Sequence, residues 1–174
     1  TIVPTTMSIT TQKMKKTRLS SRNPGRDTCG GSWPPPTQLS GTITLSQNVT
    51  AGVGTVTLNP GAGGVNQTGG ALTAGNLELT GGGAFSLNQN TNHLTGSLAA
   101  NVTGAVTYHD SGTLTVGVAG LTTGISTNNN NVDVKTGGLL TLNNDVNAGA
   151  GNVYFTAGGG ITETAGVNKI VANI

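Results

Sequence analysis

The sequence predicts an all-β protein whose main part is a parallel β-helix, a solenoid of about six short coils, preceded by a basic leader. Three observations lead to this fold class: the composition of residues 41–174, the short alternating segments within them, and a long-period recurrence of those segments. Gly (26), Thr (22) and Asn (18) fill about half of residues 41–174. Charged residues make up 8% of the 174-residue chain, whereas about 25% is usual in a globular protein. No apolar run approaches the ~20 residues that a membrane-spanning helix needs.

The leader, residues 1–40, differs from the remainder in charge and pattern. It carries a net charge of +5, with Asp27 as its one acid, whereas residues 41–174 carry a net charge of −3. It shows no hydrophobic period, and its Pro-rich segment 32–36 is typical of an extended linker. We therefore expect a disordered or artefactual leader, the alternative being a basic arm that contacts phosphate or lipid headgroups. Its single Cys29 has no intramolecular partner for a disulfide, and no apolar signal-peptide core follows its basic start.

Short segments of residues 41–174 alternate between apolar residues and Thr, Ser or other polar residues. Such a period of two, bounded by Gly and Asn turns, predicts strands with one buried face. No segment shows helical spacing. The predicted strands are residues 42–45, 55–58, 77–80, 84–87, 105–108, 113–116, 132–134, 139–142 and 152–155.

The strands also recur over a long period. Residues 43–58 reappear 97 residues later as residues 140–155, with seven of sixteen positions identical. Recurrence of short strands over a long period is typical of a solenoid, and coils of roughly 20–25 residues would divide this period into about four turns.

Stacked coils also explain how such short strands form a core, because like residues lie over like at a spacing of ~4.8 Å. A sandwich or barrel is the alternative fold. The residues that we expect to point inward are Ile43, Leu45, Val56, Leu58, Leu77, Leu79, Phe85, Leu87, Val106, Leu114, Val116, Val132, Val134, Leu140, Leu142, Val153 and Phe155.

Few residues offer chemistry. His109, Asp110 and Ser111 have the residue types of a hydrolase triad, but adjacent side chains on a strand point to opposite faces, whereas a triad is assembled from separate elements. We interpret them as a turn after a strand that ends at Tyr108. The second histidine, His93, likewise lies beside turn residues. No Cys/His spacing for zinc is present.

The acids Asp110, Asp133, Asp145 and Glu163 could converge as a carboxylate pair for acid–base work. Asp145 and Glu163 are replaced by Asn48 and Gln67 in the other copy of the recurrence, which indicates turn and surface positions. The Gly-rich runs lack the Lys-Ser/Thr ending of a phosphate loop. We therefore predict no catalytic, metal-binding or cofactor-binding residues, no cofactor and no enzyme activity.

Several segments resemble the repeats of filamentous haemagglutinin-type exoproteins, large bacterial surface proteins related to autotransporter passengers. The resemblance covers about 43–174 and leaves 1–40 unmatched; it is carried by residues 83–88 (Gly-Ala-Phe-Ser-Leu-Asn), 98–104, 114–117, 124–127 and 140–153. It implies a right-handed parallel β-helix, export by an outer-membrane partner transporter, and a role in adhesion or biofilm formation. It carries no catalytic residues.

From the resemblance we expect a structural and adhesive segment of a secreted or cell-surface protein. A β-helical carbohydrate-active enzyme is the first alternative, and a surface- or ice-binding solenoid with outward Thr rows is the second. The pairing of Thr57 with Tyr154 in the recurrence argues against regular Thr rows. The expected partners are neighbouring coils of a parent protein and host-cell or matrix glycans or proteins, but not nucleic acid. Because the chain starts at Thr1 without Met and stops within a predicted strand, we expect a fragment of a longer protein.

Overall fold

The computed structural model describes residues 41–164 and 169–173, together with the backbone of a short strand, Met7–Ile9. That strand pairs in parallel with residues 56–58 at the edge of a sheet. The rest of the predicted leader, including Cys29, lies outside the described residues. All elements of the described part are strands, and no helix there has the length and apolar character needed to cross a membrane.

The strands stack into three parallel sheets, which form a solenoid of about six coils. The predicted fold class is confirmed in this respect. The first sheet contains β1 (Met7–Ile9), β4 (Thr55–Leu58), β7 (Asn76–Gly81), β10 (Ser97–Val102), β12 (Leu114–Val116), β17 (Leu140–Leu142) and β20 (Ile161–Glu163), with a branch of β15 (Ile125–Ser126), β18 (Val146–Asn147) and β21 (Ile170–Val171). The second contains β2 (Ile43–Leu45), β5 (Val65–Gln67), β8 (Phe85–Leu87), β11 (Val106–Asp110), β16 (Val132–Thr136) and β19 (Val153–Ala157), and the third β3 (Val49–Thr50), β6 (Leu72–Ala74) and β9 (His93–Leu94).

A hairpin, β13 (Val118–Ala119) and β14 (Thr122–Thr123), is the one antiparallel pair among the described strands. It interrupts the first sheet in the fourth coil. Val116 lies beside Leu98 of the preceding coil, and Ile125 lies beside Ala100. Residues 117–124 therefore lie opposite the single residue Ala99. From this coil onward the first sheet continues as two arms, β12–β17–β20 and β15–β18–β21, and the third sheet stops at β9.

The 97-residue recurrence does not return to the same sheet. Residues 43–45 form β2 of the second sheet, whereas residues 140–142 form β17 of the first sheet. Coils are typically 21 residues long, as the hydrogen bonds between equivalent positions show, so 97 residues do not complete a whole number of coils. The two copies share a local strand–turn–strand arrangement but occupy different sides of the solenoid. The predicted coil length and the span of about four turns agree with the structure, because four coils separate β2 from β16, but the second copy begins one sheet further along the coil, at β17.

The core is one continuous cluster inside the coils. Every residue that we predicted to point inward is buried except Val153 and Phe155, which are partly buried in the last coil. Burial of each large aliphatic or aromatic side chain contributes roughly 1.5–3 kcal/mol. The core also contains residues that the alternation did not reveal: Val65, Leu72, Leu94, Leu98, Val102, Tyr108, Ile125 and Val146.

Candidate functional site

Asp110 lies inside the solenoid rather than in a turn. Strand β11 runs to Asp110, two residues past Tyr108, so the predicted strand end was wrong. Tyr108 and Asp110 point inward and are buried, whereas His109 between them points outward, as strand alternation requires. Ser111 is exposed. The three adjacent residues therefore do not form a triad.

The Asp110 carboxylate is surrounded by donors. Its Oδ2 accepts hydrogen bonds from the Leu94 backbone N at 2.8 Å and from the Tyr108 hydroxyl at 2.9 Å. Its Oδ1 accepts a bond from Gly112 N at 2.8 Å and lies 3.2 Å from Nδ1 of His93. Burial raises the pKa of Tyr108 well above its usual range, and the neighbouring carboxylate adds to this rise. Through these hydrogen bonds Asp110 connects the second sheet to the adjacent turn and to β9.

The other candidate residues occupy separate strands and turns. Asp133 lies on the outward side of β16, Glu163 is exposed on β20, and the Oδ1 of exposed Asp145 accepts a bond from Lys169 N at 2.9 Å. His109 Nδ1 lies 3.1 Å from Asn90 Oδ1. Among the described residues, no three His, Cys, Asp or Glu side chains come together where they could hold a metal ion.

A second buried acid, Glu78, was missed by the sequence analysis. It points outward from β7, but the hairpin of residues 118–123 covers it. Its Oε1 accepts bonds from Leu121 N and the Thr122 hydroxyl, both at 2.9 Å, and its Oε2 accepts one from the Thr57 hydroxyl at 2.8 Å. Burial raises the pKa of Glu78, but the hydrogen bonds from these three residues outweigh that effect and hold the pKa below its ordinary value. Glu78 therefore fastens the hairpin to the solenoid.

The hairpin presents apolar side chains to solvent at its tip. Leu121 is fully exposed and Val118 is 56% exposed. Gly120 turns the chain with a φ of 58°, and a Cβ there would clash with Oε2 of Glu78. Only glycine combines this left-handed conformation with so close an approach to the carboxylate.

The outer faces of the first sheet carry rows of uncharged polar residues in register. The first row follows one outward position through all six coils, and its members are Thr55, Asn76, Ser97, Thr115, Thr141 and Thr162. Asn76 Oδ1 accepts a bond from Ser97 N at 2.8 Å, and the hydroxyls of Thr141 and Thr162 lie 3.3 Å apart. The pairing of Thr57 with Tyr154, from which we expected irregular Thr rows, does not occur, because these two residues lie on different sheets. The first row nevertheless includes Asn76 and Ser97 among its threonines, and Thr57 pairs with Glu78.

A second row lies beyond the hairpin and borders a groove. Its members are Thr80, Asn101, Ser126 and Asn147, which lie side by side in successive coils. The last three line an open groove of about 520 Å³ together with Thr103, Asn128 and Asn129. No charged side chain lines it. Periodicity could have indicated the row, but not the groove, because the opposite wall comes from the loop before β16.

These features define the molecule as a parallel β-solenoid whose outer surface carries rows of uncharged hydroxyl and amide side chains. No protein-family model matches the sequence, and comparisons with curated proteins and with solved structures also give no match. The resemblance to filamentous haemagglutinin-type repeats therefore stays a prediction.

Proposed function

We propose that this chain is a structural and adhesive rod segment of an exported bacterial surface protein. The observation that carries the proposal is the first row, in which Thr, Ser or Asn occupies the same outward position in all six coils. A surface repeated in this way offers many equivalent weak contacts, and weak contacts that engage together can exceed each single affinity by orders of magnitude.

The core supports the mechanical part of the proposal. Its apolar side chains form one cluster that passes through every coil, so the coils are joined along the axis. At ~4.8 Å per coil, six coils extend about 29 Å. Such a rod would hold an adhesive region away from the cell. On the last described coil Ile161 and Ile170 are about half exposed, and we include neighbouring coils among the proposed partners, since a stacked coil would cover these side chains.

The two buried acids stabilise the fold, which favours this proposal over the enzyme alternative. Glu78 and Asp110 are the two buried acids of the described chain, and both accept several hydrogen bonds from their own fold. An acid–base pair for glycoside chemistry requires carboxyl groups that face the substrate. These two face the hairpin and the interior.

The adhesive function is tested with microspheres coated with the full chain at graded densities and passed over matrix-coated or epithelial surfaces under flow. We expect retention to rise more steeply than linearly with density, because multivalent attachment depends on several simultaneous contacts. The control is the same chain with Leu98→Asp, which places a charge in the core and unfolds the coils. Equal retention of coated and uncoated spheres at every density would overturn the proposal. Labelling of intact producing cells with antibodies against the chain tests its surface location.

A second candidate function, a Thr-row surface-binding solenoid, is favoured by Thr115, Thr141 and Thr162, which lie in register on three successive coils. Growth of ice crystals in the presence of the full chain tests it. Inhibition that Thr141→Val or Thr141→Tyr abolishes would support this candidate, and unchanged crystal growth would dismiss it.

A further inference from the structure

The groove beside the second row is built from fixed parts. Its wall is the loop between β15 and β16, where Asn128 and Asn129 adopt left-handed φ angles of 47° and 68°. Asn130 fastens this loop, because its Nδ2 donates to the carbonyl oxygens of Thr127, Asn128 and Thr103 at 3.0, 3.0 and 3.2 Å. The last bond joins the loop to the previous coil. The groove is therefore preformed.

The polar side chains that line the groove are uncharged amides and hydroxyls. Asn147 and Asn129 each use their Oδ1 to accept a backbone bond at 3.0 Å, from Gly149 N and Ala150 N. Their amide Nδ2 groups donate none of the hydrogen bonds described for these residues, and both residues line the groove. In the floor, Ser126 lies between exposed Asn101 and Asn147, and Asn101 and Ser126 add an amide and a hydroxyl.

The chemistry of these groups selects the class of ligand. Side-chain amides and hydroxyls donate and accept hydrogen bonds without charge, which suits a ligand rich in hydroxyl groups. A phosphate or sulfate ligand would find no Lys or Arg in the lining, although such groups are usually bound by cations. A peptide strand would need a free sheet edge, whereas the floor strands β10, β15 and β18 are paired on both sides.

We propose that this groove binds a neutral polysaccharide chain lying along the axis of the solenoid, held by Asn101, Ser126, Asn129 and Asn147. The inference rests on the proposed adhesive function and names a ligand class and a site for it. The floor residues repeat at one per coil, so a polymer along the axis would meet equivalent groups every ~4.8 Å.

The chain contains its own control. The second sheet displays Thr44, Asn66 and Ser86 side by side on its outer face, the same residue types in the same order as Thr80, Asn101 and Ser126. Asn66, like Asn101, is exposed, but it does not line the groove. Asn101→Trp fills the groove, whereas Asn66→Trp makes the same change on another sheet, outside this groove.

The test is affinity electrophoresis of the full chain in native gels that contain laminarin, mannan or dextran, with heparin as a sulfated comparison. We expect at least one neutral glycan to retard the chain. Asn101→Trp should weaken the affinity for that glycan about tenfold or more, which corresponds to about 1.4 kcal/mol. Asn66→Trp should leave the affinity unchanged. Ser126→Ala, which adds no bulk, should weaken it in the same direction and replaces Asn101→Trp if that variant does not fold. Retardation by none of the three neutral glycans, by heparin alone, or equally in both Trp variants would overturn the proposal.

The same proteins separate this inference from the function on which it rests. Microspheres that adhere although the chain binds no neutral glycan would overturn the groove proposal and leave the adhesive function standing. Glycan binding without adhesion of the microspheres would overturn the adhesive function and leave the groove proposal standing.

Discussion

Replacement of Asp110 by Ala would remove four acceptor contacts from the interior at once. Two of the groups that lose a partner, the Leu94 backbone N and the Tyr108 hydroxyl, are bonded to Asp110 in buried positions. Each buried donor without a partner costs about 1–3 kcal/mol, so we expect the free energy of unfolding to fall by about 2–6 kcal/mol. Since domains are stable by about 5–15 kcal/mol, this loss would bring the chain close to unfolding at room temperature.

The assay is urea unfolding of the full chain followed by far-UV circular dichroism. Asp133→Ala is the matched control, because Asp133 lies on the outward side of the next coil, and we expect it to change stability by less than about 0.5 kcal/mol. The double variant Asp110→Ala with Tyr108→Phe has no orphaned hydroxyl, so it should be more stable than Asp110→Ala alone by about 1 kcal/mol. A loss below about 1 kcal/mol for Asp110→Ala, or a further loss in the double variant, would refute this reasoning.

Three further predictions concern other buried contacts. Because the pKa of Glu78 is held below its ordinary value, the charged carboxylate stabilises the fold at a pH above that ordinary value, and this contribution is lost as pH falls through the folded pKa. Glu78→Gln should therefore lower the free energy of unfolding by about 1–3 kcal/mol at neutral pH. Urea unfolding should show the stability difference between Glu78→Gln and the parent chain shrinking below about pH 4. Gly120→Ala should lower the melting temperature, because alanine is strained at the left-handed φ of this position and its Cβ would clash with the Glu78 carboxylate. Asn92→Leu should destabilise more than Gln67→Leu in urea unfolding. The two side chains bond each other reciprocally, but Asn92 has two further backbone bonds, from Leu72 N and to Leu87 O, whereas Gln67 has one, to Gly70 O.

Each of these predictions has a contrasting variant. Glu163→Gln, on an exposed carboxylate, should change the free energy of unfolding at neutral pH by less than about 0.5 kcal/mol. A pH-independent gap between Glu78→Gln and the parent chain would count against the role of the Glu78 charge. Gly52 has a φ of 56°, and a Cβ added there would meet no atom within 4 Å, so Gly52→Ala should cost less than Gly120→Ala, and equal costs would exclude the contact with Glu78. Equal losses for Asn92→Leu and Gln67→Leu would show that the two backbone bonds of Asn92 contribute no more than the single bond from Gln67 to Gly70 O.

Alternation predicted nine strands, and all nine coincide with observed strands, for example residues 132–134 with β16. It missed β10, whose outer face is covered. The hairpin buries Glu78 of β7 and Ala99 of β10 on their outer side. Because Glu78 is polar, the sequence of β7 keeps the period of two, whereas Leu98, Ala99 and Ala100 make β10 apolar on both faces and remove that period. A covering element far along the chain cannot be inferred from the strand that it covers.

The roles of the acids could not be predicted for a related reason. Asp110 binds Leu94 N from the preceding coil, and Glu78 binds Leu121 N, which is 43 positions further along the chain. A buried acid and an exposed acid look alike in sequence until the coil register is known. That register was the part that the 97-residue recurrence misplaced, because similar strand–turn–strand units occupy different sheets.

The hairpin between Val116 and Ile125 has a practical consequence for engineering. On both sides of it the coils resume pairing with their predecessors without a shift, at Leu98 and Ala100. The scaffold thus accommodates an excursion from the middle of a sheet while its stacking is preserved. A foreign peptide added at the exposed tip, with Gly120 and the bond from Leu121 N to Glu78 retained, would project from the side of the rod, and copies of the coil bearing such grafts would display them at intervals fixed by the stacking.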